Sequence, residues 1–205
     1  MKKYRLPAII LFGVLFLDQL VKILVKTNMV LGQELNVIGN WFKIHFTENY
    51  GMAFGLEFGG DYGKIILSIF RIVASGFILW YIIKLVQKNE SKGLIIGLTL
   101  ILAGAIGNLI DSAFYGMIFN ESYFQPATLF PPEGGYSSFL KGRVVDMLYF
   151  PIIDTTLPDW LPFWANKHFL FFRPVFNLSD SAITIGVLYI LIFQRDFIKN
   201  TNTGK

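Results

Sequence analysis

The chain contains no cysteine among its 205 residues. That absence excludes a disulfide framework, a thiol nucleophile and any zinc or iron–sulfur site built on cysteine. The sequence has only two histidines, His45 and His168, and their wide separation excludes a two-histidine zinc signature. The formal charge of +4 is not concentrated in a basic patch of the kind that binds nucleic acid. We therefore predict no metal, no organic cofactor and no nucleic-acid partner.

Apolar residues make up 54% of the chain, which is too much for an ordinary soluble domain of this length. We predict a single integral membrane domain over residues 1–205. About 20 mostly apolar residues cross a bilayer, and four stretches qualify: residues 7–26, 63–86, 93–115 and 175–197. The first resembles a secretory signal peptide, but its helical pattern continues to Val25 and no small-residue cleavage site follows. We interpret it as the first of four transmembrane helices.

The orientation of the chain in the membrane follows from basic residues in three short segments: the head, the turn between the second and third spans, and the tail. They are Lys2, Lys3, Arg5, Lys84, Lys88, Lys92, Arg195, Lys199 and Lys205. All of them fall on one side of a four-span chain, which the positive-inside rule makes cytoplasmic. Both termini are then cytoplasmic, and the two long loops, residues 27–62 and 116–174, face outward.

The outer loops contain their own patterns. Phe42, Ile44 and Phe46 alternate with polar residues, which predicts a half-buried strand in a small sheet at the membrane surface. An ordinary structured loop is the alternative, although it gives no reason for Asn49. The second loop ends in a run of aromatic residues that suits the lipid headgroup region: Trp160, Phe163, Trp164, Phe169, Phe171 and Phe172.

Polar residues share one face on each of two spans. In the last span these are Asn177, Asp180 and Thr184, and in the third they are Asn108 and Asp111, which share their face with Gly104. An ionisable residue inside a membrane costs on the order of 3 kcal/mol and therefore usually marks a site. In the first span, Asp18 and Lys22 lie four residues apart. We interpret them as a structural pair that makes their burial tolerable.

Asp146 is the one acid in an apolar, β-prone run of the second outer loop. Together with Asp180 it supplies the two carboxyl groups needed to hydrolyse an amide without a metal or a nucleophile, because two adjacent carboxylates tend to share one proton. The ionised member takes a proton from water and the protonated member donates to the substrate. The alternative is a structural acid bonded to backbone amides or to Arg143. A serine–lysine arrangement is less favoured, since no serine has an evident lysine at the outer face.

Four blocks of sequence, TENYGMAFG, GAIGNLIDS, GRVVDMLYF and FNLSDSAITIG, resemble the motifs of bacterial lipoprotein signal peptidase (signal peptidase II), in that family's order. DQLVK at residues 18–22 is similar to its first-helix motif. The resemblance implies an all-α, four-helix enzyme of the bacterial inner membrane with a small periplasmic β-cradle. It further implies an aspartyl endopeptidase that cuts prolipoproteins before a diacylglyceryl-modified cysteine.

By the same resemblance, Asp146 and Asp180 match the catalytic pair. The residues that match the family's substrate-binding and site-lining positions are Asn49, Gly51, Asn108, Asp111 and Asn177. The expected partners are lipidated prolipoproteins and membrane lipid, and the enzyme is expected to be monomeric. The active site is expected toward the periplasmic face.

Two features depart from the family's pattern. Its third-helix motif usually reads GNxxDR, whereas Ser112 stands here in place of the arginine. Any pairing that the arginine makes with site groups is therefore either lost or supplied from elsewhere, with Arg143 and Arg173 as the candidates. The second outer loop is also long, which is compatible with a lid, a lipid-facing platform or a decoration. Two other functional classes stay open from residues alone: a small proton-coupled transporter using Asp18, Asp111 and Asp180, and a non-catalytic lipid-binding or assembly protein.

Overall fold

The computed structural model describes residues 2–51, 60–171 and 173–195, with the backbone alone at residues 60, 61 and 154. Its helices are α1 Arg5–Asn28, α2 Gly60–Lys88, α3 Lys92–Ile110, α4 Gly116–Ile118 and α5 Leu178–Phe193. A π-helical turn, Asp111–Tyr115, joins α3 to α4. In the described part of the chain, three helical segments are long and apolar enough to cross a membrane: Lys2–Asn28, Tyr62–Lys88 and Lys92–Ile118.

The first three predicted spans lie inside these helices, but the prediction for the fourth was wrong at its start. Residues Val175–Phe176 form a short strand, and α5 begins only at Leu178, with Asn177 as its N-cap. Extended backbone at the cap lets the Asn177 side chain bind the first turn, which ends the strand and starts the helix. The predicted end of this span, the tail lysines Lys199 and Lys205, and Phe172 lie outside the described residues.

A four-stranded antiparallel sheet packs beside the helix ends. Its strands are β1 Glu34–Ile38, β2 Phe42–Asn49, β3 Val144–Tyr149 and β6 Val175–Phe176, in the order β1-β2-β3-β6. The strand predicted from residues 42–46 is therefore confirmed, and it continues to Asn49. Strands β2 and β3 pair with Thr47 opposite Asp146. This register brings the end of β2 beside the acid of β3.

Two further strands form a separate hairpin in the second outer loop, which the sequence did not predict. They are β4 Ile153–Thr156 and β5 His168–Phe171. The segment between them exposes large aromatic side chains: Trp160 is 78% and Phe163 is 91% exposed. The hairpin leads through Arg173 directly into β6, so it stands next to the segment that begins α5.

Helices α3 and α5 pack closely because glycine lies at their contact. A Cβ atom on Gly107 would approach the Ser179 hydroxyl and would lie 2.8 Å from Asp18 Oδ2. At Gly104 an added Cβ would collide with the Ser179 carbonyl. Small residues allow membrane helices to approach in this way. The contact joins the first, third and last helices beneath the sheet.

Buried apolar side chains fill the space between the sheet and the helix ends. Phe46 and Phe119 are fully buried there, together with Val145 and Met147, which neighbour Asp146 along β3. The outward faces of α1 and α2 are by contrast apolar and exposed, as at Phe16 and Phe70, which suits contact with lipid. The sheet is thus fixed rigidly to the bundle at the place where the acids meet.

Candidate active site

An open cavity of about 830 Å³ lies where the sheet meets the helix ends. Both aspartates singled out from the sequence line it, although they come from different elements: Asp146 from β3 and Asp180 from the first turn of α5. Three more of the predicted site residues share its wall, namely Asn49, Gly51 and Asn108. Thr184, which was expected on the same polar face, is exposed and does not line the cavity.

Asp146 is held by two amides. The Asn177 side chain donates to its Oδ1 at 2.8 Å, and the Asn49 side chain donates to its Oδ2. Asp146 as a whole is only 4% exposed. Burial raises the pKa of Asp146 to about 7, and the negative charge of Asp180 adds to that rise. Near neutral pH this group therefore retains a proton for part of the time.

Asp180 belongs to the capping box of α5. Its backbone N–H donates to Asn177 Oδ1 at 2.9 Å, and its own Oδ2 accepts from the Asn177 backbone N–H at 3.3 Å. The other oxygen, Oδ1, accepts from Asn108 Nδ2 at 2.7 Å. The partial positive charge at a helix N-terminus stabilises a carboxylate in the first turn.

Asn177 connects the two aspartates. Its Nδ2 donates to Asp146 Oδ1, and also to Asn108 Oδ1 at 3.1 Å, while its backbone contacts Asp180. The Asn177 side chain is fully buried and does not line the cavity. It therefore lies behind the acids, although the resemblance had suggested a position facing the substrate.

Asp111 also lies behind the cavity wall. Lys22 Nζ is 2.8 Å from Asp111 Oδ2, 2.9 Å from Asp18 Oδ2 and 3.0 Å from Asn108 Oδ1. All three charged side chains are fully buried. The predicted Asp18–Lys22 pair is present, but it is part of a triad with Asp111. Because its carboxylate is occupied by Lys22, Gln19 and the Val145 N–H, Asp111 does not reach the cavity as a substrate ligand would.

Arg71 on α2 also lines the cavity, although the sequence analysis did not include it among the site residues. Its Nη2 donates to the Gly51 carbonyl at 2.7 Å, and its Nη1 donates to Ser112 Oγ at 3.3 Å. It lines the cavity together with Asp146 and Asp180. The signal was available, because an arginine within an apolar span usually marks a site.

The expectation that Arg143 supplies charge at Ser112 was wrong. Arg143 binds Glu121, and its Nε lies 3.1 Å from Glu48 Oε2, away from the cavity wall. Glu48 in turn binds Lys26, so these groups form a second charge cluster, buried except for Glu121, that ties the long loop to β2. The other expected arginine, Arg173, lines the cavity but is exposed.

Among the described residues, no group of three or more histidine, cysteine or acidic side chains is placed to hold a metal ion. The site contains the two carboxyl groups of Asp146 and Asp180, three asparagine side chains and two guanidinium groups, of which Arg71 is half-buried and Arg173 is exposed. This arrangement can share a proton between two acids and present cations to a bound chain.

Comparisons with known proteins agree with the motifs. The family model described as "Signal peptidase (SPase) II" matches residues 10–195. A lipoprotein signal peptidase from Porphyromonas gingivalis (strain ATCC 33277) is 52% identical over 189 residues, which is 92% of this chain and 82% of that protein. One from Amoebophilus asiaticus (strain 5a2) is 41% identical over 201 residues, covering 97% and 80% of the two chains. The family resemblance is confirmed.

A solved structure, described as "Bacterial membrane enzyme structure by the in meso method at 2.3 A resolution", has a similar fold. Its TM-score is 0.59 at 23% identity, and the match covers 97% of this chain and 91% of the other. A second, at 1.9 Å resolution, gives a TM-score of 0.57 at 24% identity. Both support the fold of a helical membrane enzyme.

Proposed function

The chain belongs to the signal peptidase II family, and from that premise we propose that it is an aspartyl endopeptidase acting on diacylglyceryl-modified prolipoproteins. It removes the signal peptide by cleaving before the lipidated cysteine. The observation that carries this proposal is the approach of Asp146 and Asp180 to one cavity from two separate elements, with Asn177 in contact with both.

The two acids divide the chemistry. Asp180 acts as the general base, because the N-terminus of α5 and the amide of Asn108 favour its carboxylate. It takes a proton from the water that attacks the scissile carbonyl. Asp146 acts as the general acid, because its raised pKa of about 7 leaves it a proton to donate. It protonates the carbonyl oxygen as the water attacks and takes that proton back as the tetrahedral intermediate collapses, while Asp180 passes the proton that it took from water to the leaving amine.

The remaining site residues either line the cavity or lie behind its wall. Asn49, Gly51 and Asn108 line the cavity and bind the substrate backbone. Asn177 and Asp111 lie behind them and position the acids and their amides. The Asp18–Lys22 pair is structural and fixes α1 against the π-helical turn through Asp111. No cofactor is required for this mechanism.

The proposed setting is the inner membrane of a bacterium. Helices α1, α2, α3 and α5 are the four spans of one domain, with both termini in the cytoplasm, as the basic residues of the short segments indicate. The sheet is a cradle at the periplasmic face. The cavity then lies at the outer boundary, where the acyl chains of the substrate stay in lipid and the acids reach water. The protein acts as a monomer.

A proton-coupled transporter fits this geometry less well. It requires acids spread through the depth of the bilayer that release and take up protons. Here Asp18 and Asp111 are both ion-paired with buried Lys22, and Asp146 and Asp180 line one cavity. A non-catalytic lipid-binding protein leaves the paired acids without a purpose.

Cleavage of a lipidated prolipoprotein by the purified protein in lipid tests the proposal. The comparison is wild type against Asp146→Asn and Asp180→Asn, with exposed Asp159→Asn as the matched control. Each site variant should lose turnover by about 100- to 10,000-fold, as expected when a general acid or base is removed. Thermal unfolding should show that both variants are folded. Full activity in either would remove that residue from the mechanism, and no cleavage by the wild type would refute the function.

A further inference from the structure

Arg71 is a charged residue within the apolar span α2, where placing a charge costs free energy. It lies about three turns from the start of that helix and is half-buried. Its two hydrogen-bond partners, Gly51 O and Ser112 Oγ, are both uncharged. In the part of the chain that the structure describes, no carboxylate lies within ion-pair distance of it. A cation in such a position usually serves a site.

Resting on the proposed function, we propose that Arg71 is the substrate-binding cation of the cavity. Its free guanidinium N–H groups donate to backbone carbonyl oxygens of the bound signal peptide, and its charge favours the singly ionised form of the Asp146–Asp180 pair. The sequence motifs do not include this residue, because it lies on α2. It contacts Ser112, the residue that stands in place of the motif's arginine.

The guanidinium has donors to spare. Arginine carries five N–H donors in a planar fork, and the described structure uses one on Nη1 and one on Nη2. The side chain lines the cavity that contains both aspartates. A peptide entering this cavity brings carbonyl oxygens and no charge of its own. The planar fork of arginine can bind two such oxygens in a fixed geometry, whereas the donors of a lysine ammonium rotate.

Gly51 makes room for this contact and connects it to the acids. Its φ is +82°, and a Cβ atom there would lie 2.6 Å from Arg71 Nη1 and 3.0 Å from Nη2. Any side chain at Gly51 would therefore displace the guanidinium. The Gly51 N–H donates to Asn49 Oδ1, and Asn49 donates to Asp146. Arg71 is thus connected to the carboxyl group of Asp146 by a chain of hydrogen bonds through Gly51 and Asn49.

Charged groups from several elements surround the acid pair. They are Asp18 and Lys22 from α1, Glu48 from β2, Arg71 from α2, Asp111 from the π-helical turn and Arg173 from the segment before β6. Lys22 is paired with two carboxylates, and Glu48 is paired with Lys26 and Arg143. Arg173 is exposed and screened by water. Arg71 is attracted first to Asp180, then to Asp111 and Asp146, whereas the charge of Lys22 acts on Asp146. Removal of Arg71 is therefore expected to change the acid pair mainly through Asp180.

The test measures kcat/KM against pH for wild type, Arg71→Gln and Arg71→Lys, with Arg195→Gln as a matched control at the far end of α5. Arg71→Gln should lower kcat/KM about 10- to 100-fold, as expected when a charge-assisted hydrogen bond is lost. It should also move the profile to higher pH by about one unit, because an adjacent cation favours ionised carboxylates. Arg71→Lys keeps the charge, so its profile should not move although kcat/KM falls about tenfold.

The outcomes separate this inference from the proposed function. Wild-type cleavage together with an unchanged kcat/KM and pH profile in Arg71→Gln would overturn the role of Arg71 alone, whereas an inactive wild type refutes the function itself. A loss of activity with an unmoved profile in folded Arg71→Gln would overturn the electrostatic role. If Arg71→Gln does not fold, Arg71→Lys decides: a wild-type kcat/KM would overturn donation to the substrate, and the tenfold loss would support it.

Discussion

The side-chain amide of Asn177 lies 2.8 Å from Asp146 Oδ1, so the residue that caps the last helix also holds the acid of the neighbouring strand. The start of α5 and the geometry of the acid pair are therefore set by the same side chain. Asn108 completes the connection, since it accepts from Asn177 and donates to Asp180. Helix capping and site assembly cannot be varied independently here.

Asn177→Ala tests that relationship. We expect it to lower the stability of the folded protein by about 1–3 kcal/mol, because it removes a helix cap and a buried donor. We also expect turnover to fall, because each acid then loses one of the contacts that orient it. Thermal unfolding and cleavage rates measure the two effects. Thr184→Ala, an exposed position on the same helix, is the control, and equal effects of the two variants would contradict the expectation.

The pH dependence of stability should reveal the buried carboxyl group of Asp146. Its pKa is raised to about 7 in the folded protein, against about 3.9 in an unfolded chain. Between these values the folded state binds the extra proton, so wild type loses stability as pH rises from about 4 to about 7. Asp146→Asn lacks that loss, and relative to wild type it should gain up to about 4 kcal/mol over this range. Unfolding temperatures measured across the range check it, and a difference that does not vary with pH would contradict it.

Removal of Lys22 should be strongly destabilising. Lys22→Met leaves Asp18 and Asp111 buried without a counter-ion, which costs about 3–5 kcal/mol. The triple variant with Asp18→Asn and Asp111→Asn should recover most of that loss. Lys43→Met, which breaks a surface pair with Glu34, should change stability by less than about 1 kcal/mol. Unfolding in detergent compares the three, and a small effect of Lys22→Met would show that the triad is not a unit.

The aromatic hairpin is predicted to contact the lipid headgroup region. Trp160 is 78% exposed, and aromatic side chains favour that region of a bilayer. A variant with Trp160 as its only tryptophan should show a blue-shifted emission after reconstitution and quenching by lipids brominated near the headgroup. A second variant with Trp80 alone, inside α2, provides a membrane reference. Emission from Trp160 typical of water would contradict the prediction.

Much of the site was predictable because its residues are of types that are unusual in the surrounding sequence. Asp146 and Asp180 are acids in apolar runs, and such acids signal a site without knowledge of the fold. The strand at residues 42–46 followed from its alternation. The first three helices followed from their length and composition, although their crossing of the membrane stays a prediction.

The remainder depended on contacts between distant parts of the chain. Nothing in the spacing shows that Asp111 pairs with Lys22, because the two helices meet only in the folded protein. The start of α5 was placed too early because Val175 and Phe176 are as apolar as a span, and only pairing with β3 makes them a strand. Arg71 was overlooked for a similar reason, since its neighbours Gly51 and Ser112 are distant in sequence.

The contact between Asp18 and Ser179 has a consequence for biosynthesis. Asp18 Oδ1 accepts the backbone N–H of Ser179 at 2.9 Å, so an early-translated helix packs against one that is translated 161 residues later. A nascent chain that lacks α5 has neither its second acid nor this docking partner. The chain is therefore expected to stay inactive while its first helices are made, and to become able to cleave a peptide bond only once α5 has been synthesised.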